Sequence, residues 1–108
     1  MNYVEFKADN KEYKLRLRTR DIIALEKQIG SNPISIFGNG DKIPTVNNMV
    51  AILHSSMQAY QHSITLTDAF DIFDDWIADD HSITDFLQVI VDIYKVSGLL
   101  PKEAEQKN

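Results

Sequence analysis

The sequence predicts an α+β fold, an N-terminal β-hairpin packed on a small bundle of about four α-helices. Three observations carry that expectation. Apolar and polar residues alternate with a period of two through residues 3–7 and 13–18, as they do on a half-buried strand. From residue 20 onward the apolar residues recur at spacings of three and four, the helical period. Gly, Pro, Asn or a Ser/Thr cap punctuates the joins between these segments. The 108 residues, 44% hydrophobic and 25% charged, amount to a single globular domain with one core, expected over residues 1–101.

The hairpin is expected over 2–18. Val4, Phe6, Tyr13, Leu15 and Leu17 fall on one face, and Asp9-Asn10 tolerate the positive φ of a tight turn. A two-stranded hairpin is marginal alone, so helices must cover that face. Thr19 reads as the N-cap of a first helix over 20–29, with Asp21 complementing its dipole and Gly30 as the left-handed stop. Pro33, Ile34, Ile36 and Phe37 predict one helical turn, and Gly38-Asn39-Gly40-Asp41 the most flexible stretch. Thr45 caps a second helix over 46–61, whose apolar face runs from Val46 to Tyr60. Thr67 reads as the cap of a third over 68–79. Ser82-Ile83-Thr84-Asp85 fits a capping box opening a fourth over 83–97. That last helix is apolar nearly all round, which predicts it as the central, most buried one. Gly98 ends it, Leu99-Leu100-Pro101 is expected to pack back on the body, and 102–108 to be a disordered tail.

The chain contains no cysteine, which excludes disulfides, thiolate nucleophiles and cysteine-ligated metal centres. It has no apolar run of the ~18 residues that a membrane span needs. Its first residues alternate rather than forming the apolar block of a signal peptide. An intracellular protein with no membrane partner is the expectation.

The net charge of −5 is segregated along the chain. Residues 1–42 carry eight Lys/Arg and six Asp/Glu, whereas residues 43–94 carry eight Asp and no Lys or Arg. Nucleic-acid phosphates would repel such a middle segment, so nucleic acid is not an expected partner. Asp68, Asp71 and Asp75, with Asp79 beyond, share a helical face. The spacing is wrong for a calcium loop, and carboxylates along a straight helix diverge into solvent. A solvated face is the plain reading, a patch for a basic partner the functional one. Lys14, Arg16 and Arg18, with Arg20 just beyond, form a basic row on the outer face of the second strand. Charge there protects an edge or docks on an acidic surface such as Asp71, Asp75 and Asp79 of a neighbouring copy. Phe37, Leu99 and Leu100 are the apolar candidates for partner binding. His54, His62 and His81 are scattered, and neither a G-x-S-x-G elbow nor a Gly-rich phosphate loop is present. The expectation is no enzyme, no catalytic or metal residues and no cofactor.

The run from Tyr13-Lys14-Leu15-Arg16-Leu17-Arg18-Thr19 through Leu25-Glu26-Lys27-Gln28-Ile29-Gly30-Ser31-Asn32-Pro33 resembles the opening of the tail assembly chaperones of siphophages and prophages of Gram-positive bacteria. Ile43-Pro44-Thr45, Ile52-Leu53-His54-Ser55-Ser56-Met57-Gln58, Ile64-Thr65-Leu66 and Tyr94-Lys95-Val96-Ser97-Gly98 resemble later landmarks of that family, so that the likeness covers nearly residues 1–100. The resemblance implies a non-enzymatic protein of the bacterial host cytoplasm that binds the tape measure protein, helps recruit tail tube protein and self-associates. It supplies no site residues. The alternative is a small acidic inhibitor that mimics DNA and occupies a basic site on a host protein.

Overall fold

The computed structural model describes residues 2–37 and 43–101. It is an α+β fold, with an antiparallel hairpin followed by four α-helices. The expected Gly38–Asp41 loop and the 102–108 tail lie outside the described residues. Strands β1 (Val4–Ala8) and β2 (Lys11–Leu15) pair with Val4 opposite Leu15, Phe6 opposite Tyr13 and Ala8 opposite Lys11. Asp9 and Asn10 turn the chain at φ 52° and 62°, the left-handed pair of a two-residue hairpin. Phe6, Ala8, Leu15 and Leu17 are buried, while Val4 and Tyr13 are half-buried against the core. The period-two face is thus the one the helices cover.

Helix α1 spans Thr19–Ile29. Its N-cap is Arg18 rather than Thr19. The Arg18 N–H donates to Asp21 Oδ2 at 2.9 Å, and its Nε and Nη2 donate to the same carboxylate at 2.8 and 3.1 Å. A carboxylate at the third position reaches back to the cap N–H, so the cap residue needs no hydroxyl of its own. Gly30 ends the helix at φ 74°. A Cβ there would meet no atom within 4 Å, so backbone conformation alone calls for glycine. A 3₁₀ turn, Pro33–Phe37, follows.

Helix α2 spans Val46–Met57, with Thr45 Oγ1 accepting from the Asn48 N–H at 3.0 Å. It stops short of residue 61, and glutamine side chains bond carbonyl oxygens around its end. Gln58 Nε2 donates to the His54 and Ile64 carbonyl oxygens, and Gln61 Nε2 donates to that of Met57. Helix α3 spans Leu66–Ala78, and its cap is Thr65, not Thr67. Thr65 Oγ1 accepts from the Asp68 N–H at 3.1 Å while Asp68 Oδ2 accepts from the Thr65 N–H at 2.9 Å. Thr67 has Phe70 three residues on, which cannot return such a bond. The Ser82–Asp85 box forms as expected, but its first turn, Ile83–Asp85, is 3₁₀. Helix α4 then runs Phe86–Val96.

The central helix is α2, not α4. Met49 through Leu53 and Ser55 through Met57 are buried, and α2 packs against α1, α3, α4 and β2. On α4, Phe86, Ile90, Ile93 and Tyr94 are buried, while Leu87, Val89, Val91 and Val96 are only half-covered. Apolar residues all round a helix permit central burial without enforcing it. Ser55 and Ser56 are buried on α2, and at Ser56 the hairpin main chain comes close enough for the Arg16 N–H to reach its carbonyl oxygen at 2.8 Å. The core is finished by rings: Phe6 stacks on Trp76 at 5.6 Å between centroids, and Phe86 meets Phe73 edge-on at 5.2 Å. Among the described residues, no helix is long and apolar enough to cross a membrane.

The two candidate caps of α3 are separable by mutation. Thr65→Ala is expected to lose about 1 kcal/mol, and Thr67→Ala to stay within about 0.5 kcal/mol of the parent. Urea denaturation midpoints of the two variants measure the difference.

Candidate functional site

The basic row is engaged inside the molecule. Arg16 donates from Nη1 to the Asn2 and Val96 carbonyl oxygens, both at 3.0 Å, tying the start of the chain to the end of α4. Its own N–H donates to the Ser56 carbonyl oxygen at 2.8 Å. Arg18 holds Asp21, which is 5% exposed. The Arg18 guanidinium is held still more firmly in its charged form by that hydrogen bond. Lys14 Nζ sits 5.0 Å from the Tyr3 ring centroid and 5.8 Å from that of Tyr60, two rings that meet edge-on. Arg20 is exposed on α1.

The acidic face is brought together as the helical spacing requires. Asp68, Asp71 and Asp75 of α3, with Ile64 and Ile72 and with Lys11 and Tyr13 from β2, line an open groove of about 340 Å³. Burial, then the Asp75, Asp9 and Asp68 charges, raise the Tyr13 hydroxyl above its ordinary pKa. Hydrogen bonds from the Thr65 main chain and hydroxyl hold the Asp68 carboxyl below its ordinary range. Asp79 stands apart, since its Oδ2 accepts the Asp9 N–H at 2.9 Å and so fixes the hairpin tip to the end of α3. Asp80 takes φ 70° just past the helix, the place where glycine otherwise stands. Both end-of-helix aspartates therefore have internal duties. Among the described residues, no group of three or more His, Asp or Glu is arranged to hold a metal ion.

The apolar candidates converge on Tyr94. Its ring meets that of Phe37 edge-on at 5.9 Å, its hydroxyl donates to the Pro33 carbonyl oxygen at 2.9 Å, and its own carbonyl oxygen accepts the Leu99 and Leu100 N–H groups. Burial pushes the phenol pKa well up, so the hydroxyl remains a donor. Phe37, Leu99 and Leu100 stay half-buried around it, with Ile34 exposed nearby on the same 3₁₀ turn. A buried tyrosine needs a partner for its hydroxyl, the one signal in the sequence for this anchoring role. The histidines do not converge: the His81 ring stacks on Trp76 at 4.0 Å, and its Nδ1 donates to the Trp76 carbonyl oxygen. His62 Nδ1 lies near the Gln58 carbonyl oxygen, and His54 Nδ1 is buried with no partner among the described residues.

A family model described as a family of unknown function (DUF6096) matches residues 4–108. No curated protein and no solved structure matches the chain.

Arg16→Met keeps the stem and removes the charged donor, so it is expected to lose about 1.5–3 kcal/mol of stability. Arg20→Ala should remain within about 0.5 kcal/mol; thermal unfolding of the two variants tests the contrast. The Asp68 carboxyl titrates lower in the folded chain than its unfolded value of 3.8. Its contribution is therefore present above that value and disappears as pH falls through the folded-state value. Acid titration followed by circular dichroism should show the gap between the parent and Asp68→Asn closing as the pH drops below 3.8.

Proposed function

The chain belongs to DUF6096, and we propose that it is a non-enzymatic binding protein that holds another polypeptide. In finer terms, it is a tail assembly chaperone of a phage or prophage in the bacterial cytoplasm. Its client is the tape measure protein, onto which it helps to recruit tail tube protein. The observation that carries this reading is that Phe37, whose ring meets that of Tyr94, and Leu99 and Leu100, whose N–H groups bond the Tyr94 carbonyl oxygen, are all left half-buried. Half-covered apolar side chains on a rigid anchor lose little entropy when a client helix covers them. Several copies along one long client would bind it by avidity without strong single contacts. The resemblance carried by residues 13–33 supplies the identity of the client.

A second reading, the acidic inhibitor, draws on the groove lined by Asp68, Asp71 and Asp75. Aligned carboxylates over an apolar floor suit a basic site on a host protein.

Co-purification of the full chain with tape measure segments tests the first reading. Leu99→Asp with Leu100→Asp is expected to weaken retention at least tenfold, about 1.4 kcal/mol, while Asp71→Lys with Asp75→Lys leaves it unchanged. Loss of binding by the aspartate variant alone supports the inhibitor instead. Retention indifferent to both pairs overturns the two surfaces together.

A further inference from the structure

We propose that β1 is a dimerisation edge, pairing antiparallel with β1 of a second copy so that two hairpins form one four-stranded sheet. This stands apart from the client reading and concerns the protein alone. The turn fixes which groups are available. Ala8 and Lys11 close a two-residue loop and so exchange main-chain hydrogen bonds, as do Phe6 with Tyr13 and Val4 with Leu15. The main-chain groups of Glu5 and Lys7 consequently point away from β2.

The two edges of the hairpin are treated differently. On β2, the Lys14 N–H donates to Gln61 Oε1 at 2.7 Å and the Lys14 carbonyl oxygen accepts from Gln61 Nε2 at 3.0 Å, and just past its end the Arg16 N–H is taken by Ser56. On β1, Glu5 and Lys7 are exposed, and among the described residues no hydrogen bond from outside the hairpin reaches their main chain.

Charge then selects the occupant and the register. An antiparallel partner strand must bond through its own outward residues, so a second β1 can pair in three ways. Glu5 opposite Glu5 and Lys7 opposite Lys7 place like charges together. In the third, each Glu5 faces the Lys7 of the other copy, and both pairs form at once about a two-fold axis. Within the hairpin Glu5 already faces Lys14 and Lys7 faces Glu12. The outer face of the joined sheet would therefore read Lys14, Glu5, Lys7, Glu12 across four strands, with signs alternating throughout. Charged residues on an edge ordinarily discourage pairing; here they discourage every register but one.

Sedimentation of the full chain over rising concentration is expected to show a monomer–dimer equilibrium. Glu5→Lys alone or Lys7→Glu alone turns both attractive pairs repulsive and should raise the dissociation constant roughly tenfold or more. The double variant E5K/K7E recreates both pairs with signs exchanged, and should return to within about threefold of the parent. Circular dichroism checks that each variant folds. Independently of any variant, hydrogen exchange of the Glu5 and Lys7 amides should slow as concentration rises. A strict monomer, including one whose β1 pairs solely with a strand of another protein, overturns the proposal. So does a dimer indifferent to the single substitutions or not restored by the double one.

Discussion

A two-stranded sheet has two unpaired edges and one apolar face, and the closure of the β2 edge by α2 is the constraint on which this fold rests. Ser56 near the end of α2 offers its carbonyl oxygen to Arg16, and the Gln61 amide stands in for a third strand at Lys14. Those bonds place α2 beside the hairpin, and the remaining helices pack around α2. A main-chain group withdrawn from water without a partner costs about 1–3 kcal/mol. Satisfying the edge with one glutamine and one helix carbonyl thus positions the scaffold as well as completing the sheet. Gln61 thereby joins the hairpin edge to the end of α2, since its amide also donates to the Met57 carbonyl oxygen.

The segregated charges resolve into two kinds. Some are ties: Arg16 to the end of α4, Arg18 to Asp21, Asp79 to the hairpin tip. Others lie on surfaces, in the groove of Asp68, Asp71 and Asp75 and in the alternating row of the outer hairpin face. The basic row reads as one strip in the sequence because period two places its members together. Each side chain nevertheless finds its own partner once α4 and α1 are in place. A row of like charges is weakly self-repelling, so nearby carbonyls and carboxylates draw its members in different directions.

The hairpin, both glycine stops and the Thr45 and Ser82 caps were legible because each is a matter of a few adjacent residues. The caps stand at Arg18 and Thr65, one and two residues before the hydroxyls of Thr19 and Thr67, because the carboxylate three positions on makes the choice. Asp21 and Asp68 reach back to Arg18 and Thr65, so the cap is written in the pair of positions i and i+3 and not in a hydroxyl alone. The face shared by Asp68, Asp71 and Asp75 was likewise readable from helical spacing. The meeting of Phe37 with the stretch that holds Leu99 and Leu100 was not, because Tyr94 joins them by a ring contact to Phe37 and a hydroxyl bond to Pro33, 61 residues away.

By itself, then, the sequence determined the class of fold, the strand faces, the turn at Asp9-Asn10 and the approximate number and extent of the helices. Periodicity and capping act over one or two turns and need no knowledge of what lies opposite. The tertiary structure alone decided that α2 rather than α4 occupies the centre, which arginines are ties, and which strand edge is closed by α2 and Gln61. Those outcomes depend on side-chain size and on the competition of distant groups for a limited set of carbonyl oxygens, and neither quantity exists until the elements meet.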